Sequence, residues 1–253
     1  MATQSAGIMR IAALAKASVP VTYVRLGLEI AEDRGLMRTD LVRGLGLAPG
    51  VLDRPEARIS LIQSSRLIAR VWRATGDASL GYEFGLRSSL TAHGSLGYGL
   101  MSHTRVGEAL AFGLRYGRLC NPVIALNLHQ LGDQAVIEAR PALPLGRMRQ
   151  LAIDAVLVAV ARLARQLGGA FRPELELCFA CEEPQHYARY RDRLPPVGPT
   201  RFGLSSEYRI LSRFLESLQP VCVLGIYLLC GMRNYAGISN FPSVAGMQGS
   251  HLS

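Results

Sequence analysis

Val123-Ile124-Ala125-Leu126-Asn127-Leu128-His129-Gln130 places Ile124, Leu126 and Leu128 on one face and Asn127 and His129 on the other. A period of two is the mark of a half-buried β-strand. Leu131-Gly132-Asp133-Gln134 supplies a turn, and residues 135–140 return as a second strand, so the segment reads as a β-hairpin. Downstream the period changes. Over residues 151–167, Leu151, Val156, Leu157, Val160, Leu163 and Leu167 form a broad helical apolar face. Asp154, Arg162 and Arg165 lie off that face, and Gly168-Gly169 ends the helix. Residues 175–180 then read as a strand, 186–194 as a helix and 200–202 as a short strand.

Upstream of the hairpin the pattern is helical. Residues 21–34 carry Val24, Leu28 and Ala31 at helical spacing, with Gly35 placed to end the helix. Residues 39–54 read as a shorter pair of helices around Pro49-Gly50. Ser60 with Gln63 three residues on is a capping-box pattern. The helix behind it runs to about Thr75, its buried stripe formed by Ile62, Leu67, Ile68, Val71 and Trp72. Residues 79–85, 96–102 and 105–116 complete the helical set, with Thr104 as a helix N-cap and Glu108 in the first turn. Helices, then a hairpin, then helix–strand–helix–strand predict an α+β fold. Helices pack on a small, largely antiparallel sheet in a single domain.

The chain has 253 residues, 49% apolar and 19% charged, with mean hydropathy +0.18. That supplies a core and argues against a mostly disordered chain. Twenty-eight basic residues against 19 acidic give +9, and Lys16 is the only lysine. The balance permits anionic partners without specifying a fold. Cys120, Cys178, Cys181, Cys222 and Cys230 are scattered and odd in number, which points to a reducing cytoplasm rather than a disulfide scaffold. Residues 1–18 lack the apolar core of a secretory signal, because Lys16 interrupts residues 11–15. The most apolar run, residues 221–232, is too short to span a bilayer, and no membrane partner is expected.

Enzyme signatures are missing. There is no Gly-x-Ser-x-Gly elbow, His-Glu-x-x-His helix or phosphate-binding Gly-x-x-x-x-Gly-Lys loop, so no catalytic residue and no cofactor are expected. Gly94-Ser95-Leu96-Gly97-Tyr98-Gly99 follows no strand, and its glycines suit close backbone approach better than nucleotide binding. Cys178-Phe179-Ala180-Cys181 is a lone Cys-x-x-Cys with only Glu182 and His186 nearby, so no metal site is expected. Residues 41–52 have the rhythm of a helix-turn-helix, which would put Arg43 and Arg54 on DNA, but Pro55 cuts the second helix short. Tyr98, Arg115, Tyr116 and Arg118 form a polar-aromatic set around two helices. Arg115 or Arg118 is suited to grip the carboxylate or phosphate of a small ligand; the plainer alternative is a solvated helix face. His93, beside Gly94 at a loop-to-helix junction, joins them as a binding candidate.

Thr91-Ala92-His93-Gly94-Ser95-Leu96-Gly97-Tyr98-Gly99-Leu100-Met101-Ser102 runs into Thr104-Arg105-Val106-Gly107-Glu108-Ala109-Leu110 and then Arg115-Tyr116. This ordered set resembles the N-terminal regulatory domain of AraC-type transcriptional regulators, in the arabinose-binding-like subgroup that includes ornithine-utilisation-type regulators. Residues 19–35, 55–62 and 188–202 are similar to it as well, so the likeness covers about 20–215. The resemblance implies a cytoplasmic bacterial sensor domain that binds a small effector or forms a homodimer, and that controls an attached DNA-binding domain. That output domain carries two helix-turn-helix units. The family-like pattern fades near Arg213-Phe214-Leu215. Residues 217–253 then hold one charged side chain, Arg233, after the charge-dense residues 188–216.

The expected organisation is therefore an extension at 1–18, a regulatory domain at 19–215, and an atypical tail at 216–253, frameshifted or disordered. The chain is expected to be a regulator truncated before its DNA-binding module, with DNA as a partner only if that module is restored. The alternative is a chain that binds DNA by itself through residues 39–54.

Overall fold

The computed structural model describes residues 14–104, 106–131, 134–167, 175–178, 185–196 and 208–212. Strand β1 (Ala17–Pro20) runs directly into helix α1 (Val21–Glu32) with Pro20 at the N-cap position, where a missing N–H costs nothing. Helix α2 (Arg38–Val42) has five residues. Beyond it, Gly50 at φ 66° leads into a single 3-10 turn, Val51–Asp53. Strand β2 (Arg58–Ser60) pairs antiparallel with β1. Ser60 then begins helix α3 (Leu61–Thr75) with the expected reciprocal cap: the Gln63 N–H donates to Ser60 Oγ at 3.1 Å, and the Ser60 N–H donates to Gln63 Oε1 at 3.0 Å. Gly76, at φ 60°, ends that helix.

Helices α4 (Leu80–Arg87), α5 (Ser95–Met101) and α6 (Val106–Tyr116) follow. Next come the hairpin strands β3 (Ile124–Leu131) and β4 (Gln134–Pro141). They pair without a slip from Ile124–Pro141 to Leu131–Gln134. Helix α7 (Arg149–Leu167) and strands β5 (Leu175–Cys178) and β6 (Tyr208–Ser212) complete an antiparallel sheet in the order β3-β4-β6-β5.

The apolar side chains divide into two principal cores. One joins Ile137 and Ala139 of β4 to Ile153, Leu157 and Ala161 of α7, with Tyr187, Tyr190 and Leu194 closing it. The other gathers Val24, Leu28 and Ile30 of α1 with Leu67 and Val71 of α3. Helices α4 and α7 contribute to both: Tyr82 and Leu86 face the first core, and Leu80, Phe84 and Leu151 the second. The two helices meet backbone to backbone. A Cβ added at Gly81 would lie 2.6 Å from the Leu151 carbonyl oxygen, and one at Gly85 would lie 2.4 Å from Val158 Cβ and 2.8 Å from the Ala155 carbonyl oxygen.

The α+β architecture agrees with the sequence reading, and the structure changes several particulars. The second helix expected within residues 39–54 is only the turn Val51–Asp53. Pro55 and the left-handed Gly44, Gly46 and Gly50 prevent a longer one. Residues 186–194 contain a 3-10 segment, Gln185–Tyr190, rather than an α-helix. Strands β1, β2 and β6 had no legible period. Ala17 and Ser18, placed in an N-terminal extension by the sequence, belong to β1. Gly168-Gly169, the strand at 200–202 and the tail at 216–253 lie outside the described residues.

Asp154 is the sharpest correction. It sits on the buried side of α7 at 0% exposure, against the notch left by Gly81. Gln150 Nε2 donates to its Oδ1 at 2.8 Å, while Oδ2 has no partner among the described residues. Burial raises its pKa from 3.8 to about 7.

Two predictions follow from α7. Gly85→Ala should cost about 1–3 kcal/mol by overpacking, whereas Gly117→Ala, at a position with open space, should be near neutral. Urea denaturation of both variants checks this. For Asp154 the folded-state pKa exceeds the unfolded one. The neutral carboxyl therefore stabilises the fold fully at pH below about 4, and that contribution is lost as pH rises through about 7. Asp154→Asn should thus gain stability relative to the natural chain across that window and then level off, read from denaturation midpoints against pH.

Candidate functional site

A cavity of about 830 Å³ opens between α7, the inner side of β3, and helices α5 and α6. Its wall is mostly aliphatic: Leu96 and Leu100 of α5, Leu110 and Leu114 of α6, Leu126 of β3, and Val156, Val160 and Leu163 of α7 all line it. Polar residues also line it: Tyr23, Ser64, Ser65, Ser88, His93, Arg115, Arg118, Asn121 and Asn127. Among the described residues, no Asp or Glu lines it.

His93 is held by local backbone geometry. The 3-10 turn Leu90–His93 is capped by Ser89, whose Oγ accepts from the Ala92 N–H at 3.3 Å. Gly94 follows at φ 56°, ψ −132°, which only glycine adopts readily. Gly97 lets α5 sit directly on this turn, since a Cβ there would come 1.7 Å from the Leu90 carbonyl oxygen. The glycines of residues 94–99 thus serve backbone approach.

Around His93 several buried polar groups pair with one another. Thr22 Oγ1 donates to the Ala92 carbonyl at 2.9 Å. The Tyr23 hydroxyl meets His93 Nδ1 at 2.5 Å, and Cys120 Sγ reaches the His93 carbonyl at 3.9 Å. Burial pushes the His93 imidazole pKa down to about 4 and raises those of the Tyr23 phenol and the Cys120 thiol. All three groups are neutral at pH 7. The phenol is the stronger proton donor of the pair, and assigning it the donation to Nδ1 puts the ring proton on Nε2. That nitrogen is buried and has no partner among the described residues.

Three of the five binding candidates, His93, Arg115 and Arg118, line this one cavity. Tyr98 and Tyr116 do not. Tyr116 packs on Phe112 at 4.8 Å between ring centroids, with the Arg115 guanidinium 5.5 Å from its own ring. Tyr23 and Cys120 were not foreseen; each occupies an ordinary apolar-stripe or loop position, and only the fold brings them to His93. Arg43 is exposed and pairs with Asp40 at 2.8 Å. Arg54 directly follows the 3-10 turn, so neither is carried on a recognition helix. His186 stacks at a tilt on Tyr82, 4.9 Å between centroids, and Cys181 lies outside the described residues. Among the described residues, no group of three or more His, Cys, Asp or Glu side chains is arranged to hold a metal ion, and no helix is long and apolar enough to cross a membrane.

Comparison with known proteins places this architecture. Residues 35–205 match the family described as the arabinose-binding domain of AraC transcription regulators, N-terminal, and the chain belongs to that family. It is 28% identical over 190 residues to the ornithine utilization regulator of Pseudomonas aeruginosa, covering 75% of this chain and 54% of that one. Two uncharacterized HTH-type transcriptional regulators, from Mycobacterium bovis and Mycobacterium tuberculosis, are each 29% identical over 120 residues, 47% of this chain and 35% of theirs. The crystal structure of the transcriptional regulator CdpR from Pseudomonas aeruginosa is similar at TM-score 0.47 and 18% identity, over 75% of this chain and 56% of that one. The chain spans about half, or less, of the curated relatives it matches. These relatives are regulators of transcription, not enzymes.

The cluster around His93 generates a spectroscopic prediction. The imidazole should remain neutral in the Nε2–H form from pH 8 down to about 5 and titrate near 4, as followed by nitrogen-15 shifts. Tyr23→Phe should remove the preference between the two neutral tautomers.

Proposed function

We propose that this domain senses a small effector in the cavity between α5, α6, α7 and β3, and that occupancy controls a transcriptional output. The observation that carries this reading is the cavity itself. Its volume of about 830 Å³ falls within the range typical of small-molecule sites, and its wall is assembled from helices and sheet together. Three candidate residues chosen for other reasons line it.

An effector shifts a regulator only if it binds one arrangement better than another. Here α5 and α6 are the elements suited to respond. Their fully buried residues, Leu100 and Ala109, form only a small core with Leu167 of α7, and Leu110 and Leu114 of α6 pack half-buried on the first core, whereas α7 contributes buried residues to both larger cores. Ligand contacts to Leu96, Leu110 and Leu114 therefore favour one seating of this helix pair on α7. Self-association as a homodimer, with affinity linked to occupancy, is the form of output this reading favours.

The test is a thermal-shift screen paired with sedimentation. A compound that raises the melting temperature should lose its effect in Val160→Trp and Ala152→Phe, which fill the cavity, and should change the sedimentation coefficient of the natural chain. Melting shifts that survive both substitutions would place the ligand elsewhere and overturn the reading. Arg43→Ala and Arg54→Ala should leave any retention on DNA unchanged, as checked by gel shift across salt concentrations.

A further inference from the structure

We infer that the cavity takes an amphipathic carboxylic acid: an aliphatic or aromatic body against the leucine-rich wall, and a carboxylate at Arg115 and Arg118. This rests on the cavity being the effector site and adds the chemical class of its ligand.

Three observations converge on that class. The first is the wall. Leu, Val and Ala side chains from α5, α6 and α7 offer a ligand body dispersion and burial but no hydrogen bonds. Along this part of the wall a pentose would bury hydroxyls without partners, at a cost for each; the neutral polar groups Ser64, Ser65, Ser88, Asn121 and Asn127 line the cavity from other elements.

The second is charge. Arg115 and Arg118 both line the cavity, both are exposed enough to swing, and neither forms an ion pair with a described carboxylate. No Asp or Glu accompanies them among the described lining residues, so the site is cationic. A ligand ending in an ammonium group would meet two like charges and no counter-charge. A carboxylate meets two guanidinium forks suited to bidentate hydrogen bonding.

The third is His93. Its Nε2 is buried without a partner among the described residues and, with Tyr23 assigned as the donor to Nδ1, it carries a proton that calls for an acceptor. The turn that carries Arg118 runs beside it, because Cys120, two residues on, reaches the His93 carbonyl. An acid's oxygen or a nearby carbonyl would satisfy the donor. A second ammonium or hydrocarbon group would leave it orphaned.

The experiment is a titration of the full chain, by calorimetry and thermal shift, with n-alkanoates of about six to fourteen carbons, an arylalkanoate, matched n-alkanols, a pentose and a basic amino acid. Alkanoates should bind more tightly than alkanols of equal length, with affinity rising along the series until the cavity is filled. Arg115→Gln combined with Arg118→Gln should weaken alkanoate binding about tenfold or more while leaving alkanol binding within about twofold. Both residues are surface-exposed, so the variant should retain its melting temperature.

Equal binding of acids and alcohols, or no effect of the double variant, would overturn the carboxylate assignment. Binding of the pentose or amino acid without the alkanoates, abolished by Val160→Trp, would overturn the ligand class and leave the sensing role standing. Alkanoate binding that Val160→Trp does not touch would overturn both.

Discussion

The fold turns on the place where α4 meets α7 with no side chain of its own in between. Gly81 and Gly85, four residues apart on one face of α4, bring its backbone against Leu151, Ala155 and Val158. Helices normally stand 8–10 Å apart because side chains interdigitate; two glycines one turn apart remove that spacer. The consequence is geometric. With α4 so close, α7 presents one side to the sheet and its core, another to the α1–α3 core, and a third to the cavity. A methyl group at Gly85 would push α7 away from all three at once. The cavity therefore owes its shape to this contact, in which Leu151 and Ala155 take part while also lining the cavity.

Four interior polar groups share a second property: burial pushes them toward the uncharged form. The His93 imidazole, Tyr23 phenol, Cys120 thiol and Asp154 carboxyl are all pushed toward their neutral forms, each by desolvation before any other cause. Permanent charge at the cavity is left to guanidinium groups, which do not deprotonate. A site built this way presents nearly the same field between about pH 6 and pH 8, so its occupancy reports ligand concentration rather than acidity. Asp154 lies outside that site, and its titration bears on the seating of α7 instead.

Sequence period carried most of the architecture. The hairpin, α1, α3 and α7 were legible because each has a strong apolar face and clear boundaries: Gly35 and Gly76 as stops, Ser60 with Gln63 as a start. The short strands β1 and β2 were not, since three or four residues contain too little alternation to register. Asp154 was misread because a carboxylate on a helix normally marks its solvent side, and the glycine notch that admits it belongs to another helix. His93, Arg115 and Arg118 were legible as residue types suited to ligands. That they share one cavity, and that Tyr23 orients His93, depends on contacts across 70 residues of chain that no local pattern reveals.

The strand order has a consequence for biogenesis. β4 lies between β3, its immediate neighbour in sequence, and β6, which begins at Tyr208. The α1–α3 core needs nothing beyond α4 and the start of α7, so it can assemble early on a growing chain. One edge of β4, by contrast, stays open until residues 208–212 have left the ribosome, and an open edge invites pairing with other chains. Translation that pauses or stops short of that point would release a polypeptide with half its hydrophobic interior organised and a bare strand exposed. Such a product is prone to aggregation, and sensitivity of yield to chain length should therefore rise abruptly near the last strand rather than gradually along the gene.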